Sequence, residues 1–279
     1  MVRLLLLTLL PLFLFGTEIC TLSFKGFSGN VGLLKCRNLK PVTYRVDLSN
    51  GKEVRSFLYS YPNNIDYLPF AVPFFWSGNI TLTFYREGFK LARVNFKVEP
   101  LSRGISRLKV SYKTDTKRVS RDYSLIRKVL RTYSPVRYYE SRPLFPLEFF
   151  KRISSPYGVR RFVNGKPAGF HKGVDFAAPY GGKIFAVLSG KVILARKLAL
   201  TGNTIVIDHG WGLMTLYAHL SRIEIKEGEF VKQGEVIGRV GSSGRSTGPH
   251  LHFGVYLNDI AIDPLNFLKT GLRPAKDGN

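Results

Sequence analysis

Histidine is scarce in this chain, five among 279 residues, and cysteine scarcer still at two. Cys20 and Cys36 cannot supply a cysteine-rich zinc knot, and neither stands at ligand spacing from a histidine, so zinc-finger architecture is excluded. Two readings of the pair stay open: a disulfide stabilising by roughly 3 kcal/mol through the loop it closes, or two unrelated thiols. Acidic residues are also few, 19 Asp and Glu against 42 Lys and Arg, a formal net charge of +23. That imbalance favours an anionic partner, whether nucleic acid, acidic membrane or acidic wall polymer. No Lys/Arg run alternates with aromatics in a nucleic-acid-binding pattern, so nucleic acid is set aside. Long apolar runs are missing but for one, Leu4 to Phe15. It holds about a dozen residues where a membrane span needs ~20. Following the basic start Met1-Val2-Arg3, it has the form of a secretory signal core. Residues 1–19 are therefore expected to be a signal peptide or an uncleaved N-terminal anchor, the one expected route to a membrane. The protein is expected to be exported, to the periplasm or cell envelope. No A-x-A marks the cleavage point, which is placed between Gly16 and Cys20. Glu18-Ile19 makes a poor lipobox for Cys20.

What the chain does contain is 44% hydrophobic and 13% aromatic residues, the composition of a globular protein, and length enough for two domains. Residues 20–100 read as a small β-sandwich. Val42–Leu48 and Ile80–Tyr85 alternate at period two, and Ser49-Asn50-Gly51, Pro62-Asn63-Asn64 and Ser77-Gly78-Asn79 mark turns between strands. Residues 101–148 read as a basic helix followed by an aromatic linker. Tyr123, Ile126, Val129, Leu130 and Tyr133 keep helical spacing, Ser120 and Asp122 suit a helix start, and Ser134-Pro135 a stop. Residues 149–275 form a third region, rich in glycine and short alternating runs. Within it, segments 182–192 and 228–238 look alike, as in the barrel-sandwich hybrids of biotinyl and lipoyl domains. No lysine sits at a hairpin tip to carry such a cofactor.

All five histidines fall in this last region. In GPHLHFGVY, residues 248–256, His250 and His252 share one face of a predicted strand, while Leu251, Phe253 and Val255 take the other. Pro249 suits the strand start. A side-by-side imidazole pair suits a metal ligand next to a proton-transfer group. In Gly169–Pro179 the pattern HxGxD lets His171 and Asp175 converge on one ion, and both are good zinc ligands. With one histidine from the later pair, three protein ligands leave a fourth position open, the form of a catalytic rather than a structural zinc site. In Leu213–Leu220, strict alternation puts His219 on a face with Thr215 and Tyr217. His209 ends a strand on the apolar face of Ile205 and Ile207 and reads as structural.

These segments resemble the M23 (LytM/lysostaphin-type) zinc metallopeptidases of bacterial cell walls. The resemblance covers roughly residues 149–265: SPYGVRR at 155–161, HKGVDFAAP at 171–179, TLYAHLS at 215–221, GSSGRSTGPHLHFGV at 241–255, then Asp263-Pro264. It implies a mainly β chain: a C-terminal antiparallel β-sheet metallopeptidase domain, barrel-sandwich-hybrid-like, preceded by the sandwich and the helical linker. It further implies Zn²⁺ held by His171, Asp175 and His252, with His219 and His250 as the catalytic pair. The implied activity is endopeptidase cleavage of peptidoglycan stem peptides or cross-links, with the anionic cell-wall surface as a further partner. A non-catalytic wall-binding protein, or an activator of another wall hydrolase, is the alternative.

Overall fold

The computed structural model describes residues 10–11, 19–24, 27–37, 39, 42–59, 67–109 and 115–272. Most of the N-terminal apolar run, and residues 16–18 of the expected cleavage window, lie outside the described residues. No helix among the described residues is long and apolar enough to cross a membrane. The chain divides into two compact units, residues 1–101 with 272–279, and residues 102–271.

The first unit contains β1 (Leu10–Pro11), β2 (Ile19–Phe24), β3 (Val31–Arg37), β4 (Tyr44–Ser49), β5 (Val54–Tyr59), β6 (Tyr67–Ala71), β7 (Gly78–Arg86) and β8 (Phe89–Val98). They pair into two sheets, β1-β2-β3-β6 and β5-β4-β7-β8, with every pairing antiparallel. Period-two patterning explains the layering. Tyr44, Val46 and Leu48 are buried, while Arg45, Asp47 and Ser49 between them are partly exposed. The Phe96 ring on β8 lies 5.0 Å from Phe24 and 6.1 Å from Phe70, so aromatic contacts join the two sheets into the expected sandwich. The Ser49-Asn50-Gly51 turn closes as its residue types dictate: Asn50 Oδ1 accepts from the backbone N–H groups of Lys52 and Glu53. Cys36 is disulfide-bonded, and the β2–β3 register sets it opposite Cys20, the only other cysteine.

The second unit contains β9 (Ile105–Leu108), α1 (Thr116–Leu130), β10 (Arg152–Ser155), β11 (Arg160–Val163), β12 (Lys166–Phe170), β13 (Gly173–Ala177), β14 (Lys183–Phe185), β15 (Gly190–Leu198), β16 (Gly202–Asp208), β17 (Leu213–Leu220), β18 (Arg222–Ile223), β19 (Phe230–Val231), β20 (Val236–Arg239), β21 (His250–Leu257), β22 (Ile260–Ile262) and α2 (Pro264–Thr270). Its main sheet runs β10-β13-β21-β17-β16-β15-β19, with β22 on β21; β12-β11-β9 and β14-β20-β18 form two smaller sheets. The two look-alike segments pair with each other, Ile184 against Gly238 and Gly190 against Val231.

Helix α1 begins a turn earlier than its apolar spacing suggests. Asp115 caps it, accepting from Arg118 N at 3.1 Å. Asp122 instead lies within the helix and accepts from Ala199 N at 2.7 Å. The following stretch is strapped along the same unit. Trp211 N donates to Ser134 O, Tyr138 N to His209 O, and Leu144 N to Val187 O, each at 2.8–2.9 Å.

His209 is structural, as its apolar face suggests. It is wholly buried. Its Nδ1–H donates to Ser189 O at 2.9 Å, and its Nε2 accepts from Thr215 Oγ1 at 2.8 Å. Thr215 Oγ1 lies 3.2 Å from the Tyr217 hydroxyl, which accepts from Val187 N at 3.1 Å. This polar chain is satisfied without water, and burial lowers the His209 pKa to about 4. The unfolded chain therefore binds one more proton than the folded one between about pH 4 and 6.5, and stability rises with pH across that window. The group's contribution is on the order of 3 kcal/mol, lost as pH falls. His209→Gln should lower stability at neutral pH and flatten the pH dependence of unfolding by about one proton relative to the parent. Thermal or denaturant unfolding at half-unit steps from pH 4 to 7 measures this.

Candidate metal centre

Strands β13, β21 and β17 are neighbours, and their register sets Asp175 opposite His252 and His252 opposite Ala218. Directly opposed residues share a face, so Asp175 and His252 stand together. Val174, Phe176, Leu251 and Phe253 fill the other face and are fully buried. His171 precedes β13 and is held by its backbone: its N–H donates to Val159 O at 2.8 Å, and its carbonyl accepts from Gly158 N at 2.9 Å. Three donor atoms meet. His171 Nε2 is 3.1 Å from Asp175 Oδ1 and 3.0 Å from His252 Nδ1, and His252 Nδ1 is 2.7 Å from Asp175 Oδ1. A tetrahedral ion with bonds of ~2.0 Å spaces its donors by roughly 3.3 Å, so small outward shifts admit zinc. The donor chemistry agrees. His171 Nδ1 donates to Pro156 O at 3.0 Å, which leaves Nε2 bare. Burial lowers the His171 pKa to about 4, so the ring is neutral. Burial alone would raise Asp175, but its close polar contacts with the His171 and His252 rings hold its carboxyl well below the usual carboxylate range.

His219 and His250 stand beside these three. Their ring centroids are 4.7 Å apart, and the His219 ring lies 6.1 Å from that of His252. The strict alternation expected for Leu213–Leu220 fails at His219. Tyr217 and Thr215 face the core with Phe253 and His209, yet His219 is on the Asp175 face. The cause is an extra residue in β17: Asn203 pairs with Leu220 but Ile205 with Tyr217, and His219 takes a φ of 64°. Such a bulge re-aims a side chain. His219 Nδ1 donates to Ser243 O and His250 Nδ1 to Gly248 O, both at 2.8 Å. A carbonyl only accepts, so each ring carries a proton on Nδ1, and Nε2 is the atom left to exchange a proton. His250 Nε2 is 4.0 Å from Asp175 Oδ1. Burial, then the neighbouring His252, lowers the His219 pKa to about 3.

The groups that orient these side chains were not singled out by chemistry in the sequence. The carbonyls of Pro156, Ser243 and Gly248 have no side-chain signature. Ser155 and Arg161 lie in the recognised stretch 155–161 but have no role assigned by spacing. The glycines Gly241 and Gly244 pack on the protein's own backbone rather than opening toward a substrate. A Cβ at Gly241 would strike Ser221 N and the carbonyl of His219, and one at Gly244 would strike Gly202 N. This close approach brings Ser243 O onto His219.

Gly173 is a further steric requirement. A Cβ there would meet His252 Cε1 and Nε2 at 2.7 and 2.8 Å and Phe253 O at 2.5 Å. Gly173→Ala should cost about 1–3 kcal/mol in overpacking and weaken zinc binding at least tenfold by turning the His252 ring, measured by unfolding and by chelator competition. Gly254→Ala, whose Cβ meets the Tyr256 ring at 3.0 Å or more and no backbone, should do less to both.

The model of peptidase family M23 matches residues 169–264. DD-carboxypeptidase/endopeptidase Mpg of Neisseria meningitidis is 43% identical over 117 residues, 42% of this chain and 27% of that protein. Peptidoglycan DD-endopeptidase ShyB of Vibrio cholerae is 39% identical over 118 residues, 42% of this chain and 28% of that protein. The match to these curated relatives thus spans little more than a quarter of their length. Among solved structures, a Pseudomonas aeruginosa protein assigned to peptidase M23 superposes with a TM-score of 0.66 and 27% identity, covering 88% of this chain and 96% of that one. Residues 169–264, which hold every one of the five site residues, are a peptidase family M23 domain.

Proposed function

We propose that this protein is a zinc metalloendopeptidase that hydrolyses peptide bonds in peptidoglycan stem peptides or cross-links. The observation that carries the reading is the cluster of His171, Asp175 and His252, whose donor atoms all lie within 4.8 Å of one another, with the Nε2 atoms of two further imidazoles beside it. The substrate class rests on the named relatives, a DD-carboxypeptidase/endopeptidase and a peptidoglycan DD-endopeptidase.

When held by His171, Asp175 and His252, zinc supplies an acidified water and a Lewis acid for the scissile carbonyl. The chain's own residues do the rest. The Nε2 atoms of His219 and His250 accept a proton and return it to the leaving amine. The carbonyls of Ser243 and Gly248 stabilise whichever ring becomes the imidazolium. The protonated ring also offers an N–H to the developing oxyanion. We place the protein in the periplasm or cell envelope, on the strength of the Leu4–Phe15 apolar run and of a wall polymer as substrate. The net charge of +23 favours an anionic wall surface.

Digestion of purified peptidoglycan by the full chain, read by mass spectrometry, tests the reading. His171→Ala should lose zinc and cleavage together. His219→Ala should keep zinc and lose at least 100-fold in rate. Cosedimentation with the wall and no cleavage, with zinc bound, would instead favour the non-catalytic reading.

A further inference from the structure

The stretch Ser155–Arg161 surrounds the HxGxD segment. Ser155 Oγ lies 3.0 Å from His171 Nδ1, and Pro156 O accepts from the same atom. Val159 O and Gly158 N take the backbone N–H and carbonyl of His171. Arg161 addresses the other ligand. Its Nη2 is 3.1 Å from Asp175 Oδ2 and donates to Ser155 Oγ at 3.3 Å. One guanidinium thus touches a ligand carboxylate and the hydroxyl behind a ligand imidazole. Of the two successive arginines only Arg161 turns inward; Arg160 is exposed. β11 shifts register against β12 between Arg160 and Phe162, an irregularity that re-aims the residue between.

The two oxygens of Asp175 are divided between partners. Oδ1 faces His171 and His252, and Oδ2 faces Arg161. The ion pair is poorly solvated, with the side chains 12% and 21% exposed, so solvent screens it weakly. Arg161 also buries its Nε with no hydrogen-bond partner. A carboxylate left free at both oxygens can bind an ion through either one or both.

Resting on the zinc reading above, we propose that Arg161 is a positioning residue that holds Asp175 as a one-oxygen ligand. By occupying Oδ2 it keeps the fourth coordination position open for the reaction. Its contact with Ser155 couples that orientation to the ring of His171. Arg161 itself touches neither substrate nor ion.

The test compares full-chain wild type, Arg161→Met, Arg161→Gln and Arg161→Lys. Zinc affinity is read by competition with a chromogenic chelator, and coordination by the visible spectrum of the cobalt-loaded proteins. Arg161→Met should bind zinc 10- to 100-fold more weakly, and its cobalt bands should lose intensity as Oδ2 joins the ion. Arg161→Lys should recover the wild-type spectrum and most of the affinity. A folded Met variant with wild-type affinity and spectrum overturns the inference; if the Met variant does not fold, the same result in Arg161→Gln does so. Wild type that binds neither ion at the three residues defeats the zinc reading and this inference with it. Wild-type binding with unaltered variants defeats this inference alone.

Discussion

The register of three adjacent strands governs the site. Asp175, His252 and Ala218 stand in one row across β13, β21 and β17. A slip of one residue in β13 or β21 would carry its ligand to the opposite face. What prevents the slip is the other face. Val174, Phe176, Leu251 and Phe253 are fully buried there, and the Phe253 ring lies 5.3 Å from that of Tyr217. Each such side chain stabilises by roughly 1.5–3 kcal/mol when buried. The polar chain from His209 through Thr215 to Tyr217 adds direction to that packing, since its hydrogen bonds form only in this register. The core therefore sets ligand geometry without touching the ligands.

A second layer sets the chemistry of the rings. Pro156 O, Ser243 O and Gly248 O each take the Nδ1 proton of one histidine. Those contacts make His171 a neutral donor and leave His219 and His250 as bases. They come from loops, yet the loops are tightly seated. Gly241 and Gly244 lie against backbone that a side chain would strike, so the carbonyl that orients His219 is placed by steric fit. Groups aligned before substrate arrives need little reorganisation during reaction.

Much of this was legible in the sequence because it depends on short-range periodicity. The i, i+2 pair His250 and His252 on one strand face, the start at Pro249, the turn at Asn50-Gly51 and the two-layer patterning of the first unit follow from alternation and turn chemistry. The five candidate site residues were named through ordered motifs resembling a known family, and the structure brings their side chains close together. Where pattern reading missed, a tertiary contact had overridden a local preference. Asp122 looks like a helix start but is engaged by Ala199 N. His219 looks like a neighbour of Thr215 and Tyr217 until the bulge turns it.

By itself the sequence determined which residues are candidates for chemistry and which faces of the strands are apolar, because side-chain type and period are properties of the chain. Tertiary structure decided which atoms meet. The bulge at His219, the assignment of ring protons by distant carbonyls and the division of Asp175 between histidines and Arg161 all depend on segments tens of residues apart. No local pattern encodes the distance between such segments; strand pairing and core packing bring them together.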